Sequence, residues 1–357
     1  MKKTIALLLM IALLISIAGC ATPQPPATQQ PATTPAPPAQ DPEPTEAESP
    51  AQRTVTDQLG REVILPETVT RVAASHGPMI SMIVAMGGAD LVVGVNQIRG
   101  GRNIFDVVAP NVMEATQIGH GLELNLEELA NVNPDLFVLS TRHSDLLADL
   151  ETLGIAAVAI NPESFESIIT AMRIVGVSID REEYAEEIIA AFEQQLAFTR
   201  ERVALSDYRP TAIVAGGGVT TVAANGMIQT AILEIAGAVN AAAEVEGTSN
   251  TEVSLEQILE WNPQYIFITA WGALQPEDFL NEPRFQELDA VVNGNVHKFP
   301  SDADWWDIPS SASALGAMWA AHLLHPEVLT ADELDAAVED FYYLLYGQRL
   351  GREYFGY

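Results

Sequence analysis

Arginines, histidines and tryptophans gather in short segments that each follow an apolar run, and those segments are where this chain could do chemistry. His76 and Gly77 stand in Ser75-His76-Gly77-Pro78, Arg99 and Arg102 in the stretch 96–102, and Arg142 in Thr141-Arg142-His143. Farther on come Gly216-Gly217-Gly218, Ala270-Trp271-Gly272 and Ser301-Asp302-Ala303-Asp304-Trp305-Trp306-Asp307, while His120 stands before a helix opening at Asn125. Guanidinium forks match carboxylate, phosphate or catecholate oxygens, so Arg99, Arg102 and Arg142 point to an anionic ligand group. His76 is a candidate ligand contact or metal ligand, and its plainer reading is a cap on the helix that follows. His120 and His143 carry a weaker signal of the same kind, and His297, His322 and His325 read as packing residues. Adjacent tryptophans point different ways, so Trp305 or Trp306 could stack on a flat ligand, with Trp271 and Asp304 beside them. Gly217 would let a ligand approach the backbone closely, and no Lys-Ser/Thr follows that would make its loop a phosphate loop.

Counting bounds the rest. The chain has 357 residues with 17 Lys+Arg against 48 Asp+Glu, a net charge of −31. Binding to a nucleic-acid backbone draws on clustered Lys and Arg, so that class of partner is excluded. A single cysteine cannot build an intrachain disulfide, a Cys-rich zinc site or an iron–sulfur cluster. No nucleophile elbow, His-Glu-x-x-His or paired-cysteine site is present, so a catalytic residue is not expected.

That cysteine has a different setting. Lys2 and Lys3 precede an apolar run from Ile5 to Ile17 that ends in Ile17-Ala18-Gly19-Cys20. This is the pattern of an export signal, and the run is shorter than the roughly 20 residues of a membrane-spanning helix. The tetrapeptide resembles the bacterial lipobox, which makes residues 1–19 a lipoprotein signal peptide and Cys20 the lipid site. Residues 20–52 are rich in Pro, Ala, Thr and Gln, with ten of the 22 prolines between Ala21 and Ala51. Such a composition reads as an extended tether. The resulting expectation is a body held beside a membrane outside the cytoplasm.

The elements that must position the candidate residues repeat. Leu126 to Leu139 parallels Leu255 to Ile268 at an offset of 129, each copy reading as helix, Asn-Pro break and buried strand. Asn125 and Ser254 occupy N-cap positions with Glu128 and Gln257 three residues on, which is capping-box spacing. Further apolar runs at 71–74, 91–95, 156–160, 211–215 and 296–299 alternate with helical stretches. Alternation of this kind predicts an α/β fold with two Rossmann-like lobes, each built on a parallel sheet. From Arg181 to Leu205 no Pro or Gly occurs, and Tyr184, Ile188, Phe192, Leu196 and Val203 recur at helical spacing, predicting a long helix that joins the lobes. The expected boundaries are 53–162 for the N-terminal lobe, 163–208 for the interlobe helical segment and 209–357 for the C-terminal lobe. In open α/β sheets ligands bind beyond the carboxyl ends of the strands, where the candidate segments fall.

The order of these features resembles the substrate-binding lipoproteins of ABC importers for iron–siderophore, heme and cobalamin, the class with a helical interlobe backbone. The resemblance rests on Val55-Thr56-Asp57-Gln58-Leu59-Gly60-Arg61-Glu62-Val63, Arg71-Val72, Asn125-Leu126-Glu127 with Asn133-Pro134-Asp135, and Val253-Ser254-Leu255-Glu256-Gln257 with Trp261-Asn262-Pro263. It extends through His325-Pro326-Glu327 and Phe341-Tyr342-Tyr343 and covers essentially everything after Arg53. It implies a monomeric receptor that needs no cofactor, holds a metal chelate between the lobes and delivers it to a permease and its ATPase. It further implies that Glu127 and Glu256, one per lobe, dock into the permease. An acid in a first helical turn is also favoured by the helix dipole alone. A ferric siderophore is the first reading of the cargo, then heme or cobalamin, then an oxyanion such as molybdate. Ser75-His76-Gly77-Pro78 stands where the family commonly has Ser-Pro-Ser, which leaves the cargo open. An extracytoplasmic enzyme such as a chelatase and a surface adhesion lipoprotein are the competing classes.

Overall fold

The computed structural model describes residues 53–96, 103–121, 123–300 and 302–357. The signal peptide, Cys20, the tether, Arg99 and Arg102 lie outside the described residues. The strands in chain order are β1 (Thr54–Thr56), β2 (Glu62–Ile64), β3 (Val72–Ala74), β4 (Val92–Val95), β5 (Thr116–Gln117), β6 (Gly119–His120), β7 (Glu123–Leu124), β8 (Leu136–Ser140) and β9 (Ala156–Ile160). They continue as β10 (Thr211–Ala215), β11 (Thr221–Ala223), β12 (Val239–Asn240), β13 (Asn250–Glu252), β14 (Tyr265–Ile268) and β15 (Val296–Lys298).

The first sheet has the order β5-β4-β3-β8-β9 and all its pairings are parallel. The strands β3, β4, β8 and β9 are almost wholly apolar because both faces are covered, whereas the edge strand β5 is the exposed pair Thr116-Gln117. Val72, Ala74, Leu136 and Val138 point into one core cluster, while Ala73, Phe137 and Leu139 point into another. The two-residue alternation of a strand thus divides one apolar run between two packed layers. The same division recurs in the second sheet, where Ala212, Val214 and Phe267 face one cluster and Ile213, Ala215, Ile266 and Ile268 face the other.

The second sheet departs from the parallel expectation. β10, β14 and β15 run parallel, but β11 and β13 extend the sheet with antiparallel pairings, in the order β13-β11-β10-β14-β15 with β12 also on β10. Gly216-Gly217-Gly218 causes the difference. Gly217 has φ +89°, and the Gly216 amide bonds Thr221 O while the Thr221 amide bonds Gly218 O, so the chain doubles back as a hairpin.

Helix Glu182–Val203 links the halves and buries Ile188, Phe192, Leu196 and Val203 as the spacing predicts. Tyr184, read as part of that stripe, is instead 57% exposed. At 22 residues the helix is roughly 33 Å long. It packs on helix Phe165–Ser178 on one side and on helices Ser313–Leu324 and Ala331–Tyr346 on the other. A Cβ at Gly176 would lie 2.5 Å from that of Ala185, so glycine is what lets the first crossing close. The cluster this helix organises is continuous from Val63 to Phe355. Among the described residues no helix is long and apolar enough to cross a membrane.

The repeated segment forms twice in the same way. Helices Leu126–Val132 and Leu255–Trp261 are capped by the Asn125 and Ser254 side chains and end on Asn133 and Asn262, both left-handed at φ 44° and 37°. The reciprocal half of the box at Asn125 has no donor left, because the Asn125 amide already bonds Ile118 O. Arg71 and Asp135 clasp the first copy: Arg71 donates to Asn133 O and Val132 O, and Asp135 accepts from the Thr70 and Arg71 amides. Asp57 anchors the β1–β2 hairpin by accepting from Leu59, Arg61 and Ala159, which gives the Asp57-to-Arg61 motif a structural purpose.

Candidate functional site

The carboxyl ends of both sheets open on one cleft of about 690 Å³. His76 ends the β3 loop and sits at the N-cap of helix Gly77–Ala85, with Pro78 fixing the first turn. Its carbonyl takes the Met79 and Ile80 amides, but its side chain makes no capping bond, so the ring is left to the cleft. Enclosure by the walls lowers its pKa, and the nearby Arg142 and His143 lower it further. A neutral imidazole has a lone pair to give to a metal or a donor.

Arg142 lies on the turn after β8, and its Nη2 donates to Glu163 Oε1 at 3.3 Å and to Thr248 O at 3.4 Å. Both bonds are long for a guanidinium, and Glu163 is held above its usual range by burial against the opposing pull of Arg142. The cation is therefore loosely held, with half of its side chain exposed. Thr248 belongs to the second half of the chain, so this contact crosses the cleft. Beneath it, Ser75 Oγ accepts the Ser140 amide at 2.8 Å, and Asn96 donates to Ser75 O and Gly121 O. These bonds fix three strand-end loops to one another.

The opposite wall comes from Met227, Ile228, Gln229, Trp271, Asp304 and Trp305. Asp304 is oriented by the Trp305 amide at 2.9 Å and the Tyr342 hydroxyl at 2.7 Å. Of the expected ligand contacts, His76, Gly77, Arg142, Trp271, Asp304 and Trp305 line the cleft together with His143. Three do not. Trp306 is fully buried, donates to Tyr342 Oη at 2.9 Å and packs on Phe355 and Tyr357, so it is core. Gly217 turns the β10–β11 hairpin away from the lining. His120 is an exposed residue of β6, paired with Glu123, one position short of lining Gly121.

The close approach expected at the glycine loop does occur, but to protein. A Cβ at Gly216 would meet Asn250 Oδ1 at 2.9 Å. Asn250, Gln229, Glu163 and Asn161 are lining residues that sequence reasoning passes over. Asn161 and Glu163 follow β9, so the strand-end rule applied to that loop finds them. Asn250 carries no such signal because its strand belongs to the antiparallel extension, and Gln229 carries none because it lies within a helix and not on a strand-end loop. Among the described residues no group of three or more His, Cys, Asp or Glu is placed to hold a metal ion. The cleft can thus take a ligand between an aromatic wall and a loosely paired guanidinium.

Glu127 and Glu256 occupy equivalent first-turn positions of the repeated helices and are both exposed.

Residues 72–303 match the model of a family described as periplasmic binding protein. The chain is 26% identical over 326 residues to the molybdate-binding protein MolA of Haemophilus influenzae, covering 83% of this chain and 91% of that one. A periplasmic solute-binding protein from Veillonella parvula superposes with TM-score 0.73 at 25% identity, over 84% of this chain and 94% of the other. Helicobacter pylori CeuE with Ni(II) bound gives TM-score 0.74 at 22% identity, over 82% and 96%.

Proposed function

The chain belongs to the periplasmic binding protein family, and from that premise we propose that its cleft captures a metal chelate bearing anionic oxygens, in the first place a ferric siderophore, for delivery to an ABC importer. Its general role, as the extracytoplasmic substrate-binding component of such an importer, comes with the family. What supports the chelate is the cleft itself. At about 690 Å³ it is several times the volume of a tetrahedral oxyanion, which fills the space of a few waters at about 30 Å³ each. Trp271, Trp305 and Ile228 suit the apolar periphery of an organic chelator, and Arg142 suits its oxygens. His76, His143 and Asp304 complete the proposed contacts. No catalytic residue is proposed, and the relatives named above are binding proteins.

Molybdate is the second reading, favoured by the likeness to a molybdate-binding relative. In either case Glu127 and Glu256 would dock into the permease, one from each lobe. The body would be divided into lobes at 53–162 and 209–357 around the helical segment 163–208, and tethered as a monomer by a lipid on Cys20. Tryptophan fluorescence of the purified chain, titrated with ferric siderophores, heme, cobalamin and molybdate, tests the cargo. Saturable one-to-one quenching by a ferric chelate, with no product formed, is expected. Quenching by molybdate alone transfers the assignment to the second reading.

A further inference from the structure

Arg142 meets the cleft with one nitrogen of its guanidinium already engaged. Its Nη2 donates to Glu163 Oε1 at 3.3 Å and to Thr248 O at 3.4 Å, and among the described residues Nε and Nη1 carry no bond. A guanidinium offers two bidentate edges, Nε with Nη2 and Nη1 with Nη2, and both run through that same nitrogen. A pair of ligand oxygens can therefore be held by either fork only after Nη2 lets go of a present partner. Glu163 is the partner that an anionic ligand rivals in kind, because Thr248 offers only a neutral carbonyl.

The setting allows such an exchange. The Arg142 main chain is held, its amide donating to Ser140 Oγ at 3.3 Å, so the guanidinium can swing while the turn stays in place. Half of the Arg142 side chain is exposed, whereas that of Glu163 is recessed at 21%. Both residues line the cleft. Glu163 stands immediately before Ser164, the N-cap of helix Phe165–Ser178, where the helix dipole favours negative charge. Its carboxylate is thus not stranded when the cation turns away.

We propose that Glu163 sets the threshold for cargo capture: it occupies Arg142 in the unloaded chain as a built-in anion, and cargo exchanges that carboxylate for a pair of its own oxygens. The inference rests on the proposed function, in which Arg142 receives the cargo's oxygens. A chelate whose oxygens stand in adjacent pairs, such as a catecholate, takes a whole fork in return for the one bond lost. An anion that offers a single oxygen trades one bond for another and gains nothing.

Glu163→Gln keeps the shape of the side chain and removes its charge. Titration calorimetry of the full chain with a ferric catecholate complex and with molybdate compares wild type, Glu163→Gln, Arg142→Ala and the double variant. Glu163→Gln is expected to tighten binding by roughly two- to fivefold, as loss of a partly exposed ion pair would. In the Arg142→Ala background the same change is expected to have no effect, because the two residues act on one another. Weaker binding by Glu163→Gln overturns the proposal, since Glu163 would then be holding Arg142 in place for the cargo. An equal gain with and without Arg142 overturns it too, as a general effect of charge in the cleft. A second arm needs no cargo: phenylglyoxal, which closes a ring across two guanidinium nitrogens, is expected to modify Arg142 faster in Glu163→Gln than in wild type, read by peptide mass mapping. An unchanged rate overturns the proposal. Failure of both probes to bind wild type counts against the cargo reading, and the modification arm then decides whether Glu163 occupies Arg142.

Discussion

The two copies of the repeated segment share a scaffold and part company where they meet the cleft. Helix, left-handed asparagine and strand are laid down alike at 126–140 and 255–268. Beyond the strands, the first copy delivers Arg142 and His143, and the second delivers Trp271. One lobe thus offers a cation and the other an aromatic face with Asp304 beside it. The segments that hold the walls apart are under one set of packing demands, and the residues at their tips are under another. A cargo that needed a cation on both sides would find only half of its site among the described residues.

Several substitutions would break or sharpen that contrast. The largest effect is expected from reversing both proposed docking acids: Glu127→Arg with Glu256→Arg should abolish transport in cells while cargo affinity of the purified chain is unchanged. Surviving transport would remove both residues from the docking role. Arg142→Ala should weaken cargo binding by roughly 10- to 100-fold, in keeping with about 1.5–3 kcal/mol for a hydrogen bond to a charged group. Trp271→Ala should cost less, roughly a few-fold to tenfold, as an aromatic contact of about 0.5–1.5 kcal/mol would. Titration calorimetry on the two variants ranks the lobes directly, and equal losses would end the idea that they contribute different chemistry. The smallest change is on the shared scaffold. Asn125→Ala and Ser254→Ala should each lower stability by about 1 kcal/mol in urea denaturation and leave binding alone.

Much of this scaffold is legible in the sequence because it is local. A cap, an Asn-Pro break and an apolar run lie within fifteen residues, and two-layer coverage of a strand shows as an unbroken apolar stretch. The helix from 182 to 203 is equally plain from its lack of Pro and Gly. The site is less so. Trp305 and Trp306 are neighbours of one type, and Tyr342, Phe355 and Tyr357, the nearest of them 36 residues away, decide that Trp306 is core. Gly217 reads as room for a ligand until the hairpin it turns is known. Gln229 and Asn250 enter the cleft through that same hairpin and its antiparallel edge, a pairing that no periodicity announces. Tyr184 keeps helical spacing yet faces solvent, since a repeat of four drifts off the buried stripe of a helix with 3.6 residues per turn.

The core that runs unbroken from one lobe to the other through the long helix also governs how cargo can leave. Swinging the lobes apart would uncover that core, at about 2.5 kcal/mol for each 100 Å² of apolar surface brought into water. A receptor with this architecture gains little from a wide hinge. Loading and release then have to be carried by the loops at the cleft mouth, where Arg142 reaches Thr248 across the gap through a long hydrogen bond and the Ile104 amide donates to Ala303 O at 2.9 Å. A permease gripping both lobes in the proposed way would make bound cargo less secure than it is in free solution by straining those few contacts.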